Sequence, residues 1–197
     1  MKTTNFLMMV VAVMMLFTAC KKDNPKPDND NNGNTETPAV TEAAENTLVF
    51  NGKVYQLNCG YGIDALQNRS YASGHTVETN ANGESLYEIM SDVEDFCLNR
   101  TFDLTTEYED ATYYFSMRTP DYSEEYSQGN TGGFGVNGTI NDEYYDDNSI
   151  FSSGTLTITR TETDFTYKLT GKLKTGKNLS FNIHVPASEW TYEEHKK

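Results

Sequence analysis

Of 197 residues only three are cysteine, three histidine and one tryptophan, and 15 lysines and arginines stand against 29 acids, a formal charge of −14. Each shortage bears on a class of function. The spacings that hold zinc or activate a nucleophile are missing: there is no H-E-x-x-H, no C-x-x-C and no G-x-S-x-G. A triad assembled across the fold stays compatible with that shortage, because its members need not be neighbours in sequence. A surface of strongly negative sign repels phosphate backbones, which argues against nucleic-acid binding by a basic face. Long apolar runs are scarce too. The one sustained stretch, FLMMVVAVMMLF from Phe6 to Phe17, has twelve residues, whereas a membrane-spanning helix needs about 20.

What is present begins with that stretch. Lys2 supplies a positive start, the apolar run a centre, and Thr18-Ala19 the small residues of a secretory cleavage site. Phe17-Thr18-Ala19-Cys20 resembles the lipobox of bacterial lipoproteins, departing from it in Phe17 where leucine is usual. The resemblance covers residues 1 to about 23. It implies that residues 1–19 are a signal peptide and that Cys20, lipidated through its sulfur, becomes the first residue after cleavage. The CKKD stretch and the Asn, Asp and Pro tract behind it look like Bacteroidetes lipoproteins, many of which are carried to the outer membrane and often displayed outside. Two or more acyl chains anchor a protein stably where one does not. Loss of residues 1–19 removes one cation and no acid, so −14 becomes −15.

Residues 20–46 read as a tether. Lys21 to Asn46 is rich in Asn and Pro, with Val40 its one large apolar residue, and cannot build a core. As a flexible chain it reaches roughly 30 Å, enough to hold a domain clear of a membrane surface. The remainder is one domain, residues 47–192, with a tail at 193–197.

The domain reads as all-β. Asn51-Gly52 between Leu48-Val49-Phe50 and Lys53-Val54-Tyr55 is a hairpin signal, because both residues accept the positive φ a two-residue turn demands. Apolar residues alternate through Tyr113, Phe115, Met117, then Leu156, Ile158, then Phe165, Tyr167, Leu169, Leu173, then Leu179, Phe181, Ile183, Val185. Period two with one apolar face describes an antiparallel sheet dry on one side. Gly133 to Ile140 adds a further strand. About eight strands make a single antiparallel sandwich or a barrel-like closure. One segment reads both ways. Leu86, Ile89, Met90, Val93 and Cys97 fit helical spacing with a Ser85/Glu88 capping box, which predicts a short helix near 86–97, yet Ser85 to Ser91 also reads as a strand. The run from Ser153 to Val185, with LNRTFDLT at Leu98 to Thr105, resembles the closing strands of Bacteroidetes lipoproteins with sandwich or calycin-like β domains. That resemblance implies fold and location and no particular chemistry.

Candidate sites are few. Gly133-Phe134-Gly135-Val136-Asn137-Gly138 matches the dinucleotide fingerprint, but no helix follows to meet a pyrophosphate, so the glycines read as a bulged strand. His184 falls on the strand face opposite Phe181 and Ile183 and should be solvated; His75 lies in a Ser/Gly-rich segment and His195 in the tail. Asn141 to Asn148 gathers Asp142, Glu143, Asp146 and Asp147. Calcium takes six to eight oxygen ligands, so Asp142, Asp146 and Asp147 are a candidate calcium site beside the plainer reading of a solvated acidic loop. Tyrosines concentrate between 108 and 145. Tyr122, Tyr126, Tyr144 and Tyr145, expected on loops Asp121 to Asn130 and Asn141 to Asn148, are candidate contacts for a glycan or protein partner, since such rings join a flat apolar face to a hydroxyl. Trp190 is expected to pack the C-terminal strand end. With Cys20 used as anchor, Cys59 and Cys97 are left either to form one disulfide or to stay free, Cys59 as a buried thiol on the face of Tyr55 and Leu57.

The expectation is a lipid-anchored cell-envelope module, on the outer membrane and facing the periplasm or the cell surface, that binds a partner or supports an assembly without catalysis or cofactor. A glycan-binding accessory lipoprotein is the first alternative, requiring aromatics aligned on one exposed face. A small hydrolase or inhibitor is the second, requiring a concave pocket with a histidine near a serine or carboxylate.

Overall fold

The computed structural model describes residues 40–131, 134–135, 139–140, 143–144 and 149–192. Cys20, and with it the signal and tether, lies outside the described residues apart from the tether's last seven. The strands in chain order are β1 (Thr47–Phe50), β2 (Lys53–Asp64), β3 (Arg69–Thr76), β4 (Glu88–Glu94), β5 (Arg100–Asp103), β6 (Thr112–Arg118), β7 (Glu125–Thr131), β8 (Phe134–Gly135), β9 (Thr139–Ile140), β10 (Glu143–Tyr144), β11 (Phe151–Arg160), β12 (Asp164–Leu173), β13 (Asn178–Pro186) and β14 (Thr191–Tyr192). The all-β expectation holds, and eight of these strands run seven residues or more. The stretch from Gly133 to Ile140, expected as one strand, contains the two short strands β8 and β9.

A single twelve-stranded sheet runs β5-β11-β12-β13-β1-β2-β3-β4-β6-β7-β8, with β14 added beside β2, while β9 and β10 pair separately. All neighbours are antiparallel except β14 on β2. The sheet curls into a half-barrel, so its two flanks meet across one core. Phe102 of β5 lies 4.9 Å from Tyr113 of β6, and Phe115 of β6 lies 5.9 Å from Phe151 of β11, centroid to centroid. Tyr61 stacks on Phe165 at 3.9 Å and Tyr167 is parallel to Phe181 at 6.0 Å. Tyr113, Phe115, Phe151, Phe165, Tyr167 and Phe181 are all fully buried. Rings therefore fill the inside of the curl.

Local chemistry explains the elements. Asn51 and Gly52 take φ of 48° and 81° and close the β1–β2 hairpin as expected. Alternate residues of β12, Phe165, Tyr167 and Leu169, are buried while those between them are only partly covered. Gly154 and Gly171 face each other across β11 and β12 beside a bulge; a Cβ on Gly154 would sit 2.8 Å from the Thr170 carbonyl, so only glycine allows that approach.

The helix near 86–97 is a correction. Residues 88–94 form β4, and Asp95–Cys97 form one 3-10 turn. Ile89, Ser91 and Val93 are buried in alternation, and β4 takes its place between β3 and β6. The Ser91 hydroxyl bonds the Ala72 backbone, its oxygen accepting the Ala72 N–H and standing 3.2 Å from the Ala72 carbonyl. Two open strand edges outweigh the helical spacing, because an isolated helix of three turns is marginal while a strand between neighbours satisfies every backbone group.

Where the curl does not close by backbone pairing, side chains stitch it. Gln128 of β7, fully buried, donates from Nε2 to the Leu104 carbonyl just past β5 at 2.9 Å, and its Oε1 accepts the Ile150 N–H at 3.2 Å. The Ser149 hydroxyl sits 2.6 Å from the Leu104 carbonyl and 2.8 Å from Gln128 Oε1, and accepts the Phe151 N–H at 3.0 Å. A second stitch joins β11 to β2 and β3: Arg160 Nη1 donates to the Tyr61 hydroxyl at 3.2 Å, to Ser70 Oγ at 3.3 Å and to Asp95 Oδ1 at 3.3 Å.

Candidate functional site

The residues expected to form a recognition surface separate in the fold. The β6–β7 turn holds Tyr122 at φ 57°, 59 % exposed, with the Arg118 guanidinium 4.5 Å over its ring. Hydrogen bonds brace the turn: the Asp121 carboxylate accepts the Ser123 hydroxyl at 2.7 Å and its N–H at 3.1 Å, and these bonds, with Thr119, hold its pKa down at about 2. Tyr122 is thus presented outward on that turn. Tyr126 is a correction. The segment expected as loop Asp121 to Asn130 is mostly β7, whose register turns Tyr126 inward to 1 % exposure, 5.1 Å from Phe50, with its hydroxyl accepting from Lys177 Nζ at 3.1 Å. It is a core residue. Tyr144 belongs to β10. Tyr145, Asp142, Asp146 and Asp147 lie outside the described residues; among those described, no group of three acidic, histidine or cysteine side chains is placed to hold a metal.

Both thiols are free, which corrects the disulfide alternative. Cys59 of β2 lies in the sheet row of Gly74 and Ile89. Cys97 lies against Thr112, whose amide donates to its sulfur at 3.1 Å, next to the row Tyr113–Val93–Ser70–Ile63. That row is four residues along β2 from Cys59, roughly 13 Å at strand rise, beyond the ~7 Å that a disulfide spans between Cα atoms. Burial pushes the Cys59 thiol up to about 11. Alkylation of folded Cys59 by iodoacetamide should therefore still gain about tenfold per pH unit from 8 to 10, where an ordinary thiol near 8.5 levels off. Mass spectrometry of the labelled peptide against pH checks this; a plateau by pH 9 would contradict it.

Sequence reasoning missed the feature beside Cys59. β1 pairs with β2 only as far as Gln56, and β14 takes up the same edge only at Gly62. Between them is an open cleft of about 380 Å³, lined by Glu45, Asn46, Leu57, Cys59, His184 and Glu189 among others. His184, expected to be solvated, is half-buried against Asp164 and Thr166. Its Nδ1 is 3.3 Å from the Thr166 hydroxyl, its Nε2 is 3.4 Å from Asp164 Oδ1 and 3.9 Å from Glu45 Oε1. This is an imidazole beside carboxylates, the arrangement a hydrolase would need. Its neighbouring thiol, however, is held protonated by burial, and both ring nitrogens already face partners. The cleft is equipped to hold a hydrogen-bonding or cationic group.

A second cleft lies on the outward face of the sheet. Tyr71, Asp92 and Tyr114 occupy one row across β3, β4 and β6; two strand spacings put the tyrosines roughly 10 Å apart. Gly60, Gly62, Ser73, Met90 and Thr191 bound an adjoining hollow of about 290 Å³ with Tyr71. Desolvation holds the Asp92 carboxyl above its ordinary value against the pull of Arg69, 2.8 Å away. No sequence pattern marks this row, because Tyr71 and Tyr114 come from separate strands and the face they share is set by register alone. Trp190 packs as expected, edge-on to Tyr61 at 5.2 Å, with Nε1 donating to the Val185 carbonyl at 3.0 Å. Comparison of the chain with protein-family models, with curated proteins and with solved structures gave no match.

Proposed function

We propose that the chain is a lipid-anchored cell-envelope module whose β domain binds a partner, or supports an assembly, and carries out no catalysis. The observation that carries this reading is the filled interior of the curl. A barrel that transports a ligand keeps room inside, whereas here Phe115, Phe165, Tyr167 and Phe181 occupy that volume and are fully buried. Recognition is left to the outer surface, where Tyr122 stands on a hydrogen-bonded turn and two clefts open. The formal charge of −14 favours partners with cationic or neutral hydrogen-bonding surfaces over nucleic acid. The lipobox-like sequence ending at Cys20 supports attachment to the outer membrane, facing the periplasm or displayed outside.

Replacing Cys20 with alanine should abolish incorporation of labelled palmitate, leave the precursor uncleaved at this site, and release the domain from the membrane fraction. Palmitate entering the Cys20→Ala chain at wild-type level would overturn the anchor. Protease shaving of intact cells then decides between surface display and a periplasmic location.

The row of Tyr71, Asp92 and Tyr114 supports a second reading, a glycan-binding accessory lipoprotein, because a half-buried ring, Tyr71, and an exposed one, Tyr114, share one face with a carboxylate between them, which suits stacking and hydroxyl recognition. Immobilised polysaccharides retained by the wild type and not by a Tyr71→Ala, Tyr114→Ala double variant would establish it.

A further inference from the structure

We infer that the hollow on the outward face of β2 and β3 is the seat for the terminal pyranose ring of a neutral glycan. This deepens the glycan-binding reading and rests on it. The hollow exists because two side chains are missing. Tyr55, Leu57 and Tyr61 of β2 are buried on the inner face, so Gly60 and Gly62, on the alternate positions, look outward. They stand opposite Ser73 and Tyr71 of β3, and Met90 of β4 continues the row of Gly60 and Ser73.

No backbone constraint demands glycine at either position. Neither residue takes a positive φ. A Cβ on Gly60 would meet the Ser73 hydroxyl at 3.0 Å and one on Gly62 the Thr191 hydroxyl at 3.2 Å, both the ends of side chains, whereas on Gly154 it would strike the main chain. Glycine inside a strand costs stability, and it is characteristic of places where a bulge, another backbone or a ligand comes close. There is no bulge: the ladder between β2 and β3 keeps one register from Leu57 to Asp64. Above the two glycines lies the open hollow of about 290 Å³. A ligand is the remaining partner, and because the ladder beneath is continuous, side chains must recognise it.

Those side chains suit a sugar ring. The half-buried Tyr71 ring and the exposed Met90 thioether give apolar walls for its C–H faces. The Ser73 hydroxyl and the Glu189 carboxylate make no hydrogen bond to any described residue, which leaves both for sugar hydroxyls. Glu189 also has no cationic partner among the described residues, and with a formal charge of −14 the site disfavours a carboxylated sugar. The volume is near the lower end, roughly 300 Å³, of small-molecule sites, room for one ring. Glu189 and Thr191 close the hollow on the β2 side. On the other side the same face continues past Asp92 to the exposed Tyr114, roughly 10 Å from Tyr71 at two strand spacings. A glycan therefore enters by its end, with the following units running toward Tyr114.

The test uses the full chain in detergent micelles, methyl-labelled at methionine, with short oligosaccharides of glucose, mannose, galactose and N-acetylglucosamine, and oligogalacturonate as the acidic control. A bound oligosaccharide should move the Met90 methyl resonance and leave that of the fully buried Met117 in place. Gly60→Ala should weaken binding about tenfold by filling the floor, with a melting temperature no lower than that of the wild type, since alanine costs a strand less than glycine. Ser73→Ala and Glu189→Gln should each weaken it about fivefold. A long polymer should compete in proportion to its number of chains, not its sugar content. Binding that Gly60→Ala leaves unchanged, or that shifts Tyr114 and not Met90, overturns the seat and leaves the glycan-binding reading standing. If Gly60→Ala does not fold, Ser73→Ala decides, unchanged binding again overturning the seat. Competition that follows sugar content overturns the terminal placement, and tighter binding of oligogalacturonate overturns the neutral ligand. No shift with any of the four sugars overturns the seat and the glycan-binding reading together.

Discussion

Replacing Phe181 with alanine should lower the unfolding free energy by about 4 kcal/mol, the upper part of the range for emptying an aromatic site in a core. Phe181 sits at the middle of β13, fully buried, stacked parallel to Tyr167 at 6.0 Å and edge-on to Phe115 at 5.8 Å. Tyr167 belongs to β12 on one flank of the curl and Phe115 to β6 on the other. Truncation removes the ring that both flanks touch, and the neighbouring rings, held by their own strands, can collapse only partly into the space. Chemical denaturation with an unchanged slope checks the magnitude. A loss below about 1.5 kcal/mol would mean that the two flanks do not share one core.

Gln128→Ala should cost about 3 kcal/mol, through a different mechanism. Its amide is the hub between β7 and the Leu104 to Phe151 segment, and its removal leaves the Ile150 N–H, which it accepts at 3.2 Å, without that acceptor in a buried site. A stranded buried donor costs on the order of 1–3 kcal/mol, and the cavity left by the side chain adds to that. Ser149 shares the same acceptor and donor atoms, so the effects of Gln128→Ala and Ser149→Ala should be less than additive. A double variant whose loss equals the sum of the single losses would show that the two side chains act independently, contrary to the contacts of 2.6 and 2.8 Å that the Ser149 hydroxyl makes.

The strands that could be read in advance were those with a repeating apolar partner on every second residue. β12 and β13 carry Phe165, Tyr167, Leu169 and Leu179, Phe181, Ile183 on one face, and the register found between them sets Tyr167 opposite Ile183 and Leu169 opposite Phe181. The β1–β2 hairpin was legible because Asn-Gly encodes a turn within two residues. Residues 86–97 were not, since Ile89 and Val93, four residues apart, satisfy both periods and only the open edges of β3 and β6 decide between them. Tyr126 and Tyr122 illustrate the same limit for the site. Four residues apart, one is core and the other 59 % exposed, because Tyr122 stands on the β6–β7 turn at φ 57° while β7, starting at Glu125, turns Tyr126 to the inner face.

What this chain's sequence determined by itself is local: the turn at Asn51-Gly52, the alternating burial of β11 to β13, the acidic surface, and the expectation of an anchor at Cys20. Each depends on residues within a few positions of one another, where sterics and hydrophobic period act directly. The tertiary structure alone decided that one sheet curls over a solid aromatic core, that Cys59 and Cys97 stand rows apart, and that Gln128 closes the curl. It also decided that β1 and β14 stop short of each other along β2. The gap they leave is defined by the ends of two strands some 140 residues apart in the chain. No side-chain pattern marks it, because strands so far apart in sequence become neighbours only in the assembled sheet.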